Sequence, residues 1–153
     1  MFEIANATTS HHCGAKVYKA VHDLAEKLMA AANKNDTKQF ESLYAELKAI
    51  CIENENTAKD HPVQWETLAD FTEELEDAIV TYEKALQKSI EINNKDHMSS
   101  VAFSMATLQL ELGDKEAAIK NLQDAKVSAN KIEDKELKSE IHELLESLVE
   151  EEG

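Results

Sequence analysis

Six histidines, two cysteines and a surplus of carboxylates are the groups in this chain with chemistry to offer, and their spacing limits what that chemistry can be. His11-His12-Cys13 is the densest set of metal-ligating side chains, with His22 on the same expected helix. Soft and borderline metals accept imidazole and thiolate. Consecutive helical residues diverge by about 100°, however, so three neighbours do not converge on one ion. A frayed N-terminus rich in Thr, Ser and His is the plainer reading. His142 and Glu146 stand one turn apart, where a zinc-hydrolase helix needs two histidines. The intervening Leu144 and Leu145 face the core and turn His142 toward the polar side. A di-iron bundle needs Glu three residues before a His. Those places hold Thr8, Thr9, Lys19, Ala58, Asn94 and Ser139. Gly14, Gly113 and Gly153 lie too far apart for a phosphate-cradling loop. Cys51 shares an apolar stripe with Tyr44 and Leu47 and reads as a buried thiol. His61 and His97 follow Asp60 and Asp96 at expected helix starts, where local hydrogen bonds explain them. The expectation is a protein with no catalytic residues, no metal and no cofactor.

Charge narrows the partners. The 153 residues include 31 acidic and 16 basic side chains, a net charge of −15, and every basic residue is Lys. Nucleic acid and anionic membrane surfaces would be repelled. Without Arg there is no bidentate fork for phosphate or carboxylate. Glu3 and the absence of a long apolar run leave no visible secretory signal, and no stretch approaches membrane-spanning length. A cytoplasmic location with reduced thiols is expected.

The elements that must position these groups are helices throughout, because apolar residues recur at helical spacing from residue 14 almost to the end. A first hairpin is expected over 14–55, with Val17, Val21, Leu24, Leu28 and Ala31 on one helix. Phe40, Leu43, Tyr44, Leu47, Ile50 and Cys51 line the other, which Asp36 caps. After a polar loop at 53–60, Pro62 opens a third helix whose stripe runs unbroken from Trp65 to Ile90. The spacing predicts one long helix over 62–93, or a degenerate hairpin if it breaks near Glu73-Glu74. The fourth helix starts after Asp96 and carries Met98, Val101, Ala102, Met105, Leu108 and Leu112. Gly113 and Asp114 make the turn to a fifth helix with Ala118, Leu122, Ala125, Ala129 and Ile132. Asp134 caps a sixth, over 134–151, with Leu137, Ile141, Leu144, Leu145 and Leu148 inward. Residues 1–10 are expected to be disordered, and 1–153 to form a single domain.

Residues 99–132 resemble the tetratricopeptide repeat (TPR), a 34-residue helix–turn–helix unit. Ala106, Gly113, Ala118, Leu122 and Ala125 occupy its small, turn and large positions in register. Ala102, Gln109 and Asn130 stand where the family often has Trp, Tyr and Pro. Ala78, Tyr82 and Ala85 echo the second helix of such a repeat, as do Phe40, Tyr44 and Leu47. The resemblance implies an all-α fold of antiparallel hairpins stacked as a short, TPR-like right-handed superhelix. It has about six helices, and the last is a capping helix with a polar outer face. It also implies a groove lined by first helices, to which Ser100, Phe103, Thr107 and Leu110 would contribute. A neighbouring helix covering that face within one domain is the alternative. The functional expectation is a non-catalytic module, a small acidic adaptor or chaperone, that binds a peptide or helix of another protein. A basic or apolar segment suits it, and homo-oligomers are compatible. A helical bundle binding metal or a small ligand through His11, His12 and Cys13 is the competing expectation.

Overall fold

The computed structural model describes residues 12–152, with side chains from Tyr18 to Glu151. Among these residues the helical periodicity resolves into α1 (His12–Asn33), α2 (Thr37–Asn54), α3 (Pro62–Asp70), α4 (Leu75–Glu91), α5 (Lys95–Glu111), α6 (Lys115–Ala129) and α7 (Lys135–Glu152). The expected disorder of residues 1–10 lies outside the described residues.

One device builds three of the links. Asn35, Asn93 and Gly113 take the left-handed conformation, with φ of 56°, 54° and 83°. Gly and Asn adopt it at the lowest cost. The next residue then donates its amide back to the fifth carbonyl before it. Asp36 reaches Ala31 at 2.9 Å, Asn94 reaches Ser89 at 2.9 Å and Asp114 reaches Gln109 at 2.8 Å. That bond closes the outgoing helix. The same three residues cap the incoming helix, their side chains accepting from the amides of Gln39, His97 and Ala117 at 3.2, 3.0 and 3.2 Å. Stop and start are therefore encoded by adjacent residues. The cap at Asn94 places the start of α5 two residues earlier than Asp96 implied.

The long helix expected over 62–93 does not form, and the helix count rises from six to seven. No Gly, Asn or Pro marks the break at 71–74. It is held by side chains instead. The Thr72 hydroxyl donates to the Leu68 carbonyl at 2.8 Å and bonds the Tyr44 hydroxyl of α2 at 2.7 Å. Phe71 meets Phe40 of α2 edge-on, with ring centroids 6.3 Å apart. Leu68 is buried, and Phe71 and Leu75 are half-buried, so the apolar stripe continues through the turn and conceals it. The result is a middle hairpin, α3–α4.

Three hairpins and a final helix then stack by a repeated relation. The first helix of each later hairpin packs on both helices of the preceding one: α3 on α1 and α2, α5 on α3 and α4. The last helix, α7, packs on α6. Ala78, Tyr82 and Ala85 on α4 are buried, as are Ala118, Leu122 and Ala125 on α6. Small residues on either side of a large one let neighbouring helices approach closely. Two cores result. The first gathers Val21, Leu28, Leu47, Trp65, Leu68 and Tyr82, and the second Ala118, Leu122, Ala125, Ile132 and Ile141. Helix α5 belongs to both, giving Val101 and Met105 to the first core and Ala102 and Ala106 to the second.

Two residues expected inside lie outside: Ile90 is 55% exposed and Leu112 is 44% exposed. In the last turn of α4 the inward position falls on Ser89, whose hydroxyl is satisfied by the Leu86 carbonyl at 2.7 Å. Leu112 is the C-cap of α5 and turns away with the link.

Candidate interaction face

Ser100, Phe103, Thr107 and Leu110 share one face of α5, since their spacing of three, four and three returns to the same side. All four are half-buried. Phe103 and Leu110 rest against the second core, so neither is free-standing and neither is sealed. The two hydroxyls on this face already have partners within the chain. Ser100 donates to Glu66 Oε2 of α3 at 2.7 Å, and Thr107 turns its hydroxyl back to the Ser104 carbonyl at 2.7 Å. Helix α3 has only 9 residues against 17 in α5. Its cover of α5 is slight and is centred on the turn of His97 and Ser100.

A polar seam joins the first helices of the hairpins beside this face. The Tyr18 hydroxyl of α1 bonds the His61 ring, and that ring meets His97 edge-on at 5.5 Å between centroids. His97 Nδ1 and the Ser100 hydroxyl each lie 2.7 Å from one oxygen of Glu66. One turn further along, Tyr82 donates to Asp70 Oδ1 at 2.5 Å. The Ser104 hydroxyl bonds the same phenol. Burial, with Asp70 adding to it, pushes the Tyr82 hydroxyl well above its ordinary range, so it remains a donor. Burial does the same to Tyr18.

The seam does not have the geometry of a nucleophilic site. Activation requires the base to contact the nucleophile. Here His97 and Ser100 both bond to the same carboxylate. Cys51 is buried and donates to the Gln64 carbonyl at 3.3 Å. Burial first, then the nearby Asp60, pushes its thiol up to about 12, which makes it inert as a nucleophile. His142 is exposed on the polar side of α7, 3.6 Å from Glu146. The His11, His12 and Cys13 side chains lie outside the described residues. Among those described, no three His, Cys, Asp or Glu side chains converge where a metal ion could be held. None of the helices described is long and apolar enough to cross a membrane.

A second polar centre escaped the sequence reading. Asp60 is 4% exposed at its side chain. It accepts from Trp65 Nε1 at 2.7 Å, Gln64 Nε2 at 2.9 Å and the Asn56 amide at 2.7 Å, and pairs with Lys88 at 3.2 Å. Burial alone would raise its carboxyl. The Asn56, Trp65 and Lys88 hydrogen bonds outweigh that and hold it below the usual carboxylate range. Lys84 adds a cation over Trp65, 4.5 Å from the ring centroid, while pairing with Glu55 at 2.5 Å. These contacts fasten the 55–61 loop to α3 and α4. The only forewarning was compositional, a lone Trp five residues after an Asp in a polar loop. Compared with family models, with curated proteins and with solved structures, the chain matches none.

Proposed function

We propose that this protein is a non-catalytic interaction module, a small acidic TPR-like adaptor or chaperone that holds a peptide or helix of a partner protein against the α5 face. The observation that carries the reading is the state of Phe103 and Leu110. Both are half-buried on a face that short α3 leaves largely uncovered, and both rest on a preformed core. Aromatic and Leu anchors on a rigid support favour partner contact because little conformational freedom is lost on binding. The repeated packing of hairpins supports the same reading, since such stacks present one continuous face built from their first helices. The test is capture from the native cell extract on immobilised wild-type protein and on a F103S/L110S double variant. Proteins retained by the first and lost from the folded second support the proposal. An identical retained set on both contradicts it.

A further inference from the structure

We propose that the occupant of the α5 face is a basic amphipathic helix, and that Glu66 and Asp70 are the residues that select its charge; this rests on the interaction reading above. Three observations converge. First, Glu66 and Asp70 lie one turn apart on α3, so both carboxylates border the same side of α5. Their hydrogen bonds locate them there: Glu66 meets His97 and Ser100, and Asp70 meets Tyr82, which also bonds Ser104. Second, neither carboxylate pairs with a lysine among the described residues, although other acidic side chains do, at Lys19–Asp23, Lys84–Glu55, Lys88–Asp60, Lys115–Glu151 and Lys120–Asp124. Ser100 and His97 orient Glu66, and Tyr82 orients Asp70. Burial, with Glu66 adding to it, raises the Asp70 carboxyl to about 7, so a cation docking beside the pair favours its charged form. Third, Phe103 adjoins Ser104 in sequence and follows Ser100 by one turn, which sets an apolar anchor beside the acidic pair. Leu110 stands two turns beyond, roughly 10 Å along the axis.

That order, acidic pair, aromatic, then Leu, is the complement of a helix carrying Lys or Arg at one end and apolar residues at i+3 or i+4 and i+7. The net charge of −15 draws such a segment in and rejects an acidic one, so the long-range field and the local pair act with the same sign. A second copy of this chain carries the same negative field and is the wrong occupant on that ground.

The experiment uses the full chain and three fluorescent peptides of about 18 residues, five helical turns: a Lys/Leu amphipathic helix, its Gln/Leu counterpart and a scrambled Lys/Leu peptide. The variants are E66Q/D70N, which keeps the shapes and removes the charges, F103S/L110S, and E136Q/E140Q on exposed positions of α7. Circular dichroism confirms that each is folded. The proposal expects the Lys/Leu helix to bind wild-type protein more tightly than the scrambled peptide. It expects E66Q/D70N to weaken that binding by about tenfold or more, and E136Q/E140Q to change it by less than about twofold. Equal losses from both acidic pairs would mean attraction by net charge alone and would overturn it. If F103S/L110S weakens both amphipathic helices while E66Q/D70N weakens neither, the basic preference fails and the interaction face stands. If F103S/L110S leaves both unchanged, the face and the preference fail together.

Discussion

Around Trp65 the first core is laced by polar contacts that cross between elements, whereas around Leu122 the second core is packed almost entirely from Ala, Leu and Ile. The first holds Asp60 with four partners, the Tyr44–Thr72 bond and the Glu66 fork. Beside the second, Asn121 donates to Gln109 at 2.7 Å, and Lys115 pairs with Glu151 at the surface. Hydrogen bonds between elements fix where a chain must turn, and apolar contacts fix how closely helices approach. The first region needs the former because its links are irregular, with a long loop at 55–61 and an unmarked break at 71–74. The second has a Gly113-Asp114 link that positions α6 by its own backbone geometry.

This difference can be broken from the first side. Asp60→Ala removes the acceptor of Trp65 Nε1 and Gln64 Nε2 and the ion-pair partner of Lys88, which keeps Asn56 Oδ1 at 3.1 Å. The change should cost about 3–5 kcal/mol, the range for breaking a buried ion pair at one partner. Urea titration followed by Trp65 fluorescence reads it directly. From the second side, Leu122→Ala removes a fully buried side chain and should cost about 2–5 kcal/mol in the same titration. A change within about 0.5 kcal/mol would mean that α6 presents another face to the core.

Acid sharpens the contrast. Asp60 has a folded pKa below its unfolded value, so its stabilisation is present in full above about pH 4 and is lost as pH falls through the folded pKa. The gap in stability between wild-type protein and Asp60→Asn should therefore be wide at neutral pH and close progressively below about pH 4. The gap between wild-type protein and Leu122→Ala should not change in that way. Urea midpoints at a series of pH values compare them. The smallest effect belongs to the seam. Ser100→Ala removes one hydrogen bond to Glu66 and should cost about 0.5–1.5 kcal/mol, detectable as a lower midpoint with an unchanged denaturant slope.

The same contrast explains what could be read from the sequence. The second core was legible almost residue by residue, because Ala118, Leu122, Ala125, Ile141 and Leu148 follow helical spacing between explicit caps at Asp114 and Asp134. The stripes of α1 and α2 were legible for the same reason. The break at 71–74 was not. Its cause is tertiary, a Tyr44 hydroxyl and a Phe40 ring contributed by another helix, and the apolar period runs through it uninterrupted. Asp60 was hidden likewise, since its partners Trp65 and Lys88 come together only after α3 and α4 fold back. On the candidate face, Phe103 and Leu110 could be singled out because they lie off the core stripe of α5. Glu66 and Asp70 could not, because their place beside Ser100 and Ser104 depends on the short middle hairpin.

The α5 face is the claim on which the functional account depends, and its standing as surface and not interior is measurable as one free energy. F103S/L110S should lower stability by no more than about 2 kcal/mol in a urea titration, since half-buried side chains lose less on truncation than buried ones. The loss should be clearly smaller than that of Leu122→Ala measured alongside. A loss of about 4 kcal/mol or more, at or above the Leu122→Ala value, would place both residues in the core and contradict the account.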